Sequence, residues 1–140
     1  MPATIVFDTN ILFSAAGWRG NPYRCVDLAR TRQVHAVTCD AIIDELAEKL
    51  ALKLRMMPDH VNEVLADYLS FHQVVEIPGV LAAVPRDPDD NAVLECAQVG
   101  SAQSVVSGDR DLLSIGNFQV IDIVTASEFL HRWEAGQIPK

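Results

Sequence analysis

Cysteine, aromatic and basic residues are all scarce in this 140-residue chain, and each scarcity argues against a class of function. The three cysteines, Cys25, Cys39 and Cys96, are odd in number and have no paired spacing. They argue against a disulfide framework or a zinc knuckle and read as buried, reduced thiols. The four histidines are scattered, with no ligand-like neighbour at a metal-binding interval. No glycine-rich stretch matches a P-loop or a dinucleotide fingerprint. No apolar run is long enough to cross a bilayer, and the segment from Met1 to Asp8 is not built like a signal peptide. The expected setting is therefore cytoplasmic, with no membrane involvement.

Basic residues are outnumbered, 11 Lys and Arg against 19 Asp and Glu, for a net charge of −8. The imbalance is uneven. Residues 1–57 hold seven basic against six acidic side chains, whereas residues 58–140 hold four against thirteen. So acidic a chain is a poor non-specific binder of phosphate backbones. A nucleic-acid substrate would require bound divalent cations, a basic partner, or the segment Arg19, Arg24, Arg30 and Arg32 to offset the charge.

What is present suits one globular domain, residues 1–140, with 49% apolar residues to build a core. Short β-rich runs alternate with longer helical ones. Strands are expected at Thr4–Phe7, Val34–Cys39, Val74–Ile77, Gln103–Ser107 and Phe118–Val124. Helical periodicity runs through Val26, Leu28 and Ala29, and from an Asp40 cap through Ile42, Leu46 and Leu50. It recurs from Pro58 through Leu69 and over Ala92–Val99, which Gly100 stops. Thr125 and Glu128 form a capping-box pattern before a last helix. This alternation implies an α/β fold with parallel crossovers and a sheet covered on both faces.

Acidic residues gather where such sheets bind ligands, at the carboxyl ends of strands. Asp8 follows the first strand, and Asp109 follows the fourth after Ser107 and Gly108. Asp87, Asp89 and Asp90 crowd the start of a helix, and Asp44, Glu45 and Glu48 share another. Each group alone can be a turn or a helix cap, but several such groups in one small domain are improbable as independent caps. Clustered carboxylates hold hard cations through oxygen ligands, and such ions support phosphodiester hydrolysis. An aspartyl-phosphate enzyme of the commonest kind needs a second Asp two residues after Asp8, where this chain has Asn10. Periodicity leaves open which of Asp44, Glu45 and Glu48, and which of Asp87, Asp89 and Asp90, belong to the site.

These segments resemble the PIN-domain nucleases, and among them the VapC-like toxins of toxin–antitoxin pairs. The resemblance runs through Ile5-Val-Phe-Asp8-Thr-Asn10, Ala41-Ile-Ile-Asp-Glu45-Leu, and Arg86-Asp-Pro-Asp-Asp90-Asn-Ala-Val-Leu-Glu-Cys-Ala97. It continues with Val105-Val-Ser107-Gly-Asp109-Arg-Asp111 and Ile123-Val-Thr-Ala-Ser-Glu-Phe-Leu130. It implies a three-layer domain with a central parallel sheet of four to five strands between helices. It also implies an acidic pocket that binds Mg²⁺ or Mn²⁺ and hydrolyses single-stranded RNA. By motif, the catalytic acids are Asp8, Glu45, Asp90 and Asp109, and the metal ligands Asp8, Asp90, Asp109 and Asp111. Asn10 and Ser107 support them, and Arg19 and Arg24 are candidates for substrate binding. The resemblance further implies a homodimer and a small antitoxin, expected to insert a basic side chain into the acidic pocket. Other readings of the same chain are a catalytically silent scaffold and a housekeeping nuclease of RNA processing or DNA repair.

Overall fold

The apolar run at the amino terminus becomes the middle of a six-stranded sheet, in a computed structural model that describes residues 2–82 and 87–139. In chain order the first elements are β1 (Thr4–Phe7), α1 (Thr9–Gly17), α2 (Asn21–Arg30), β2 (His35–Thr38), α3 (Asp40–Lys53), α4 (Pro58–Phe71) and β3 (His72–Val74). There follow α5 (Pro88–Val99), β4 (Ser104–Val106), α6 (Arg110–Ile115), β5 (Asn117–Phe118), β6 (Ile121–Val124) and α7 (Ala126–Glu134). The strand order is β3-β2-β1-β4-β6-β5. The first five of these strands are parallel, and β5 alone runs antiparallel, against β6. The expected α/β architecture is therefore present, with a two-residue edge strand added.

Alternation along the strands assigns the two faces. Val6 pairs with Val37 and with Val105, and that face carries α5, which packs against β1, β2 and β4. Phe7 lies on the opposite face, where its ring meets His72 edge-on, and the hydroxyl of Tyr68 donates to the carbonyl of Leu12 at 2.8 Å. With both faces covered, the strands read as continuous apolar runs rather than alternating ones. Cys25, Cys39 and Cys96 are all buried free thiols.

Several local expectations are corrected. Asp40 is the first residue of α3 rather than its cap; Cys39 holds the cap position without a side-chain bond. The third strand lies at His72–Val74, so most of the expected Val74–Ile77 segment is loop. The run Phe118–Val124 is divided into β5 and β6, with Gln119 at φ 57° turning the chain. α5 starts at Pro88 instead of Ala92, because Asp87 caps it and Pro88 fits the first helical turn. Only half of the capping box forms: Thr125 accepts from the Glu128 amide, but the Glu128 carboxylate pairs with Arg132. Arg86 lies outside the described residues.

Gly100 does end α5, though not through a left-handed conformation, since its φ is −80°. Steric closeness explains the residue: an added Cβ would stand 2.6 Å from Cγ1 of Val37 and 3.1 Å from the Cys96 carbonyl. The helix end thus touches β2 directly. Gly100→Ala is expected to destabilise the fold by about 1–3 kcal/mol, as overpacking does. Urea unfolding checks this, and an unchanged midpoint would mean that the helix end can move away from Val37 at no cost.

Candidate active site

The chain passes from β1 to β2 on one side and later reaches β4 on the other, so a crevice opens where strand order reverses. Phe7 pairs with Val106, and the next residues of each strand therefore stand side by side. They are Asp8 and Ser107. The Asp8 amide continues the ladder to the Val106 carbonyl at 3.0 Å.

The carboxylate of Asp8 is fixed at both oxygens. Oδ1 caps α1 by accepting the Ile11 amide at 2.9 Å, and Oδ2 accepts the Ser107 hydroxyl. The same hydroxyl oxygen accepts the amide of Asp109 at 2.9 Å. Ser107, itself buried, thereby ties two acidic residues together. Asp109 caps α6, its Oδ1 accepting the amides of Asp111 and Leu112 at 2.8 and 3.2 Å. Asp87 caps α5 through the amides of Asp89 and Asp90, and this capped turn carries Asp90 inward. Carboxylate oxygens of Asp87, Asp90 and Asp109 lie within 4.8 Å of one another.

The other wall belongs to α3. Glu45 and Lys49 are one helical turn apart, and Nζ of Lys49 lies 3.3 Å from Oε1 of Glu45. Nζ also donates to Oδ1 of Asn10 at 2.8 Å, bridging α3 to α1. Together these residues, with Thr9, Glu48, Asp89 and Val93, line an open cleft of about 260 Å³.

Electrostatics in the cleft are unbalanced. Burial pushes the Asp90 carboxyl up to about 8, aided by the charges of Asp109 and Asp87, a hydrogen bond with Asp109 and the charge of Asp8. Burial also raises Asp8, against the lowering effect of its bonds from Ser107 and Ile11. Asp89 is raised to about 6, chiefly by a hydrogen bond with Glu45. Among the described residues, Oδ2 of Asp90 is buried without a hydrogen-bond partner. A buried carboxylate oxygen left unpaired is costly, and a cation is the usual remedy. The donors are all hard oxygens and suit Mg²⁺ or Mn²⁺ better than a softer metal.

A PIN domain family model matches residues 4–111, which include the whole cleft. The chain belongs to the PIN-domain nuclease family. No curated protein matches it by sequence. Among solved structures, PAE2754 from Pyrobaculum aerophilum is similar at a TM-score of 0.65 and 19% identity, covering 96% of this chain and 98% of that one. A chain of VapBC2 from Rickettsia felis, solved with a DNA fragment from its promoter, is similar at a TM-score of 0.62 and 14% identity. That match covers 86% of this chain and 98% of the other.

In this PIN domain, Asp8, Glu45, Asp90 and Asp109 all line one cleft. Asn10 lines it too, while Ser107 supports it from below. The alternatives narrow only partly: Glu48, Asp87 and Asp89 also line the cleft, whereas Asp44 is exposed and does not. Asp111, an expected ligand, is exposed in the first turn of α6 and is not among the lining residues. Its amide contributes instead, by fixing Asp109. Arg19 and Arg24 are not brought to the cleft: Arg19 stacks over Tyr23, and Arg24 pairs with Glu134 on α7 at 3.0 Å. Sequence reasoning missed Lys49, although its four-residue spacing from Glu45 on a helix was a usable signal. No helix among the described residues is long and apolar enough to cross a membrane.

Proposed function

We propose that this PIN domain is a Mg²⁺- or Mn²⁺-dependent endoribonuclease that hydrolyses single-stranded RNA and acts as the toxin of a toxin–antitoxin pair. The observation that carries the metal dependence is the buried Oδ2 of Asp90, which has no hydrogen-bond partner among the described residues, beside the carboxylates of Asp87 and Asp109. Asp90, Asp109 and Asp87 would hold the ion, with Asp8 adjoining. A divalent cation there supplies Lewis-acid stabilisation of the charge that builds on phosphate oxygens. The protein's own groups do the rest. Ser107 and the Ile11 amide orient Asp8, and the Asp109 cap fixes its carboxylate relative to α6. Asp89 and Glu45 line the cleft beside the ion-holding group and are the carboxylates placed to take a proton from an attacking water or return one to the leaving oxygen.

The toxin role is supported by the fold shared with a chain of VapBC2 and by the resemblance of the motifs. With it come a small antitoxin, a homodimer and a cytoplasmic setting. The excess of carboxylates in the cleft suits an antitoxin that places a basic side chain there. The test is incubation of the purified protein with single-stranded RNA, single-stranded DNA and duplex RNA, each with Mg²⁺, Mn²⁺ or EDTA. Internal cleavage of single-stranded RNA alone, abolished by EDTA, is expected. Cleavage that survives EDTA, or equal cleavage of DNA, would overturn the reading. Growth arrest on induction, relieved by co-expression of a neighbouring small gene, checks the toxin role.

A further inference from the structure

We propose that Lys49 is a substrate-binding residue that receives a phosphate of the RNA strand, an inference that rests on the nuclease reading above. The cleft is lined by seven carboxylates, and a phosphodiester entering it meets repulsion on nearly every side. Lys49 is the single cationic side chain among the described lining residues. Its placement is constrained. The side chain is only 25% exposed, and Nζ is held between Oδ1 of Asn10 and Oε1 of Glu45.

An ammonium group carries three donors, and these two acceptors leave one for a ligand. Because Asn10 follows Asp8 by two residues, the ammonium sits beside the catalytic carboxylates and not on a remote surface. Arg19 and Arg24 are engaged elsewhere, and neither lines the cleft. A salt bridge to Glu45 alone does not account for the arrangement, since Nζ is also drawn across to Asn10 on α1. The bridge to Asn10 holds the ammonium in the cleft lining, where its third N–H can donate to a phosphate oxygen.

The experiment measures binding, so that it does not depend on turnover. Asp8→Asn protein is titrated into a fluorescein-labelled single-stranded RNA with Mg²⁺ present, across a series of KCl concentrations. The measurement is repeated with Lys49→Met, Lys49→Arg and Lys53→Met added, Lys53 being an exposed cation of the same helix outside the cleft lining. Lys49→Met is expected to weaken binding about tenfold at low salt and to reduce the slope of log Kd against log[KCl] by about 0.7, the value for one phosphate contact on a single strand. Lys49→Arg should keep the slope, and Lys53→Met should change neither quantity. Weaker binding with an unchanged slope would mean that Lys49 only positions Glu45, and would overturn the proposal. Equal Kd and slope with and without Lys49 would overturn it alone. If the Asp8→Asn protein binds no RNA at all, the nuclease reading fails and this inference fails with it.

Discussion

Asp8→Asn is expected to lower single-turnover RNA cleavage by about a thousandfold or more while leaving the fold intact. The substitution is nearly isosteric. Its side-chain oxygen can still cap α1 through the Ile11 amide, and its amide group can still meet Ser107. What disappears is a negative charge beside the carboxylate cluster. Because burial already raises the Asp8 carboxyl, a neutral residue there removes electrostatic strain rather than adding it. Melting temperature should therefore stay level or rise while activity collapses. A variant that melts normally and cleaves within tenfold of the parent would remove Asp8 from the mechanism.

The second large effect is on stability, and it depends on pH. Asp90 titrates near 8 in the folded metal-free protein and near 3.9 in an unfolded chain. Between those values the folded state binds more protons, so its stability is lost as pH rises. His72 works the other way. Burial lowers it to about 4, so it favours the unfolded state as pH falls below about 6.5. The two slopes oppose each other at low pH, but above about 6.5 His72 is neutral in both states and the raised carboxylates set a downward slope, partly offset by Cys39, whose thiol is lowered to about 7. Asp90 alone is expected to cost the metal-free protein on the order of 1–2 kcal/mol from pH 6.5 to 8, read as a steeper fall in Tm than Asp90→Asn shows. Millimolar Mn²⁺ should offset that loss, and Asp90→Asn should flatten the slope and weaken the response to Mn²⁺. Calorimetry at several pH values with EDTA or Mn²⁺ reads all of this. A flat profile that Mn²⁺ does not move would favour a catalytically silent scaffold.

What was legible in the sequence was mostly backbone-encoded. A both-sides-buried strand announces itself as an unbroken apolar run, and residues just past its end must reach the crevice. Asp8 and Asp109 were reached by that reasoning together with the family motif. Choosing among Asp87, Asp89 and Asp90 was harder, because all three line the cleft and only the rotation of α5 buries Asp90. Asp111 lies away from the lining for the same kind of reason. It shares a helical turn with the Asp109 cap, and the direction of α6 turns its side chain to solvent. Lys49 was illegible as a cleft residue until α3 and α1 were placed side by side, since its partner Asn10 is 39 positions away. Short strands were the least secure, and both sheet edges, β3 and β5, differ from the expected boundaries by a few residues.

Those edges have a bearing on assembly. β5 offers only two residues, Asn117 and Phe118, and runs against the direction of its neighbour. β3 offers three, and the loop after it turns back so that the amides of Gly79, Val80 and Leu81 close onto Glu95. Edges this short present almost no free ladder for another chain to extend. Sheet extension is therefore a poor route for a second copy or another chain to attach, and the sheet is guarded against the edge-to-edge stacking that seeds fibrous aggregates.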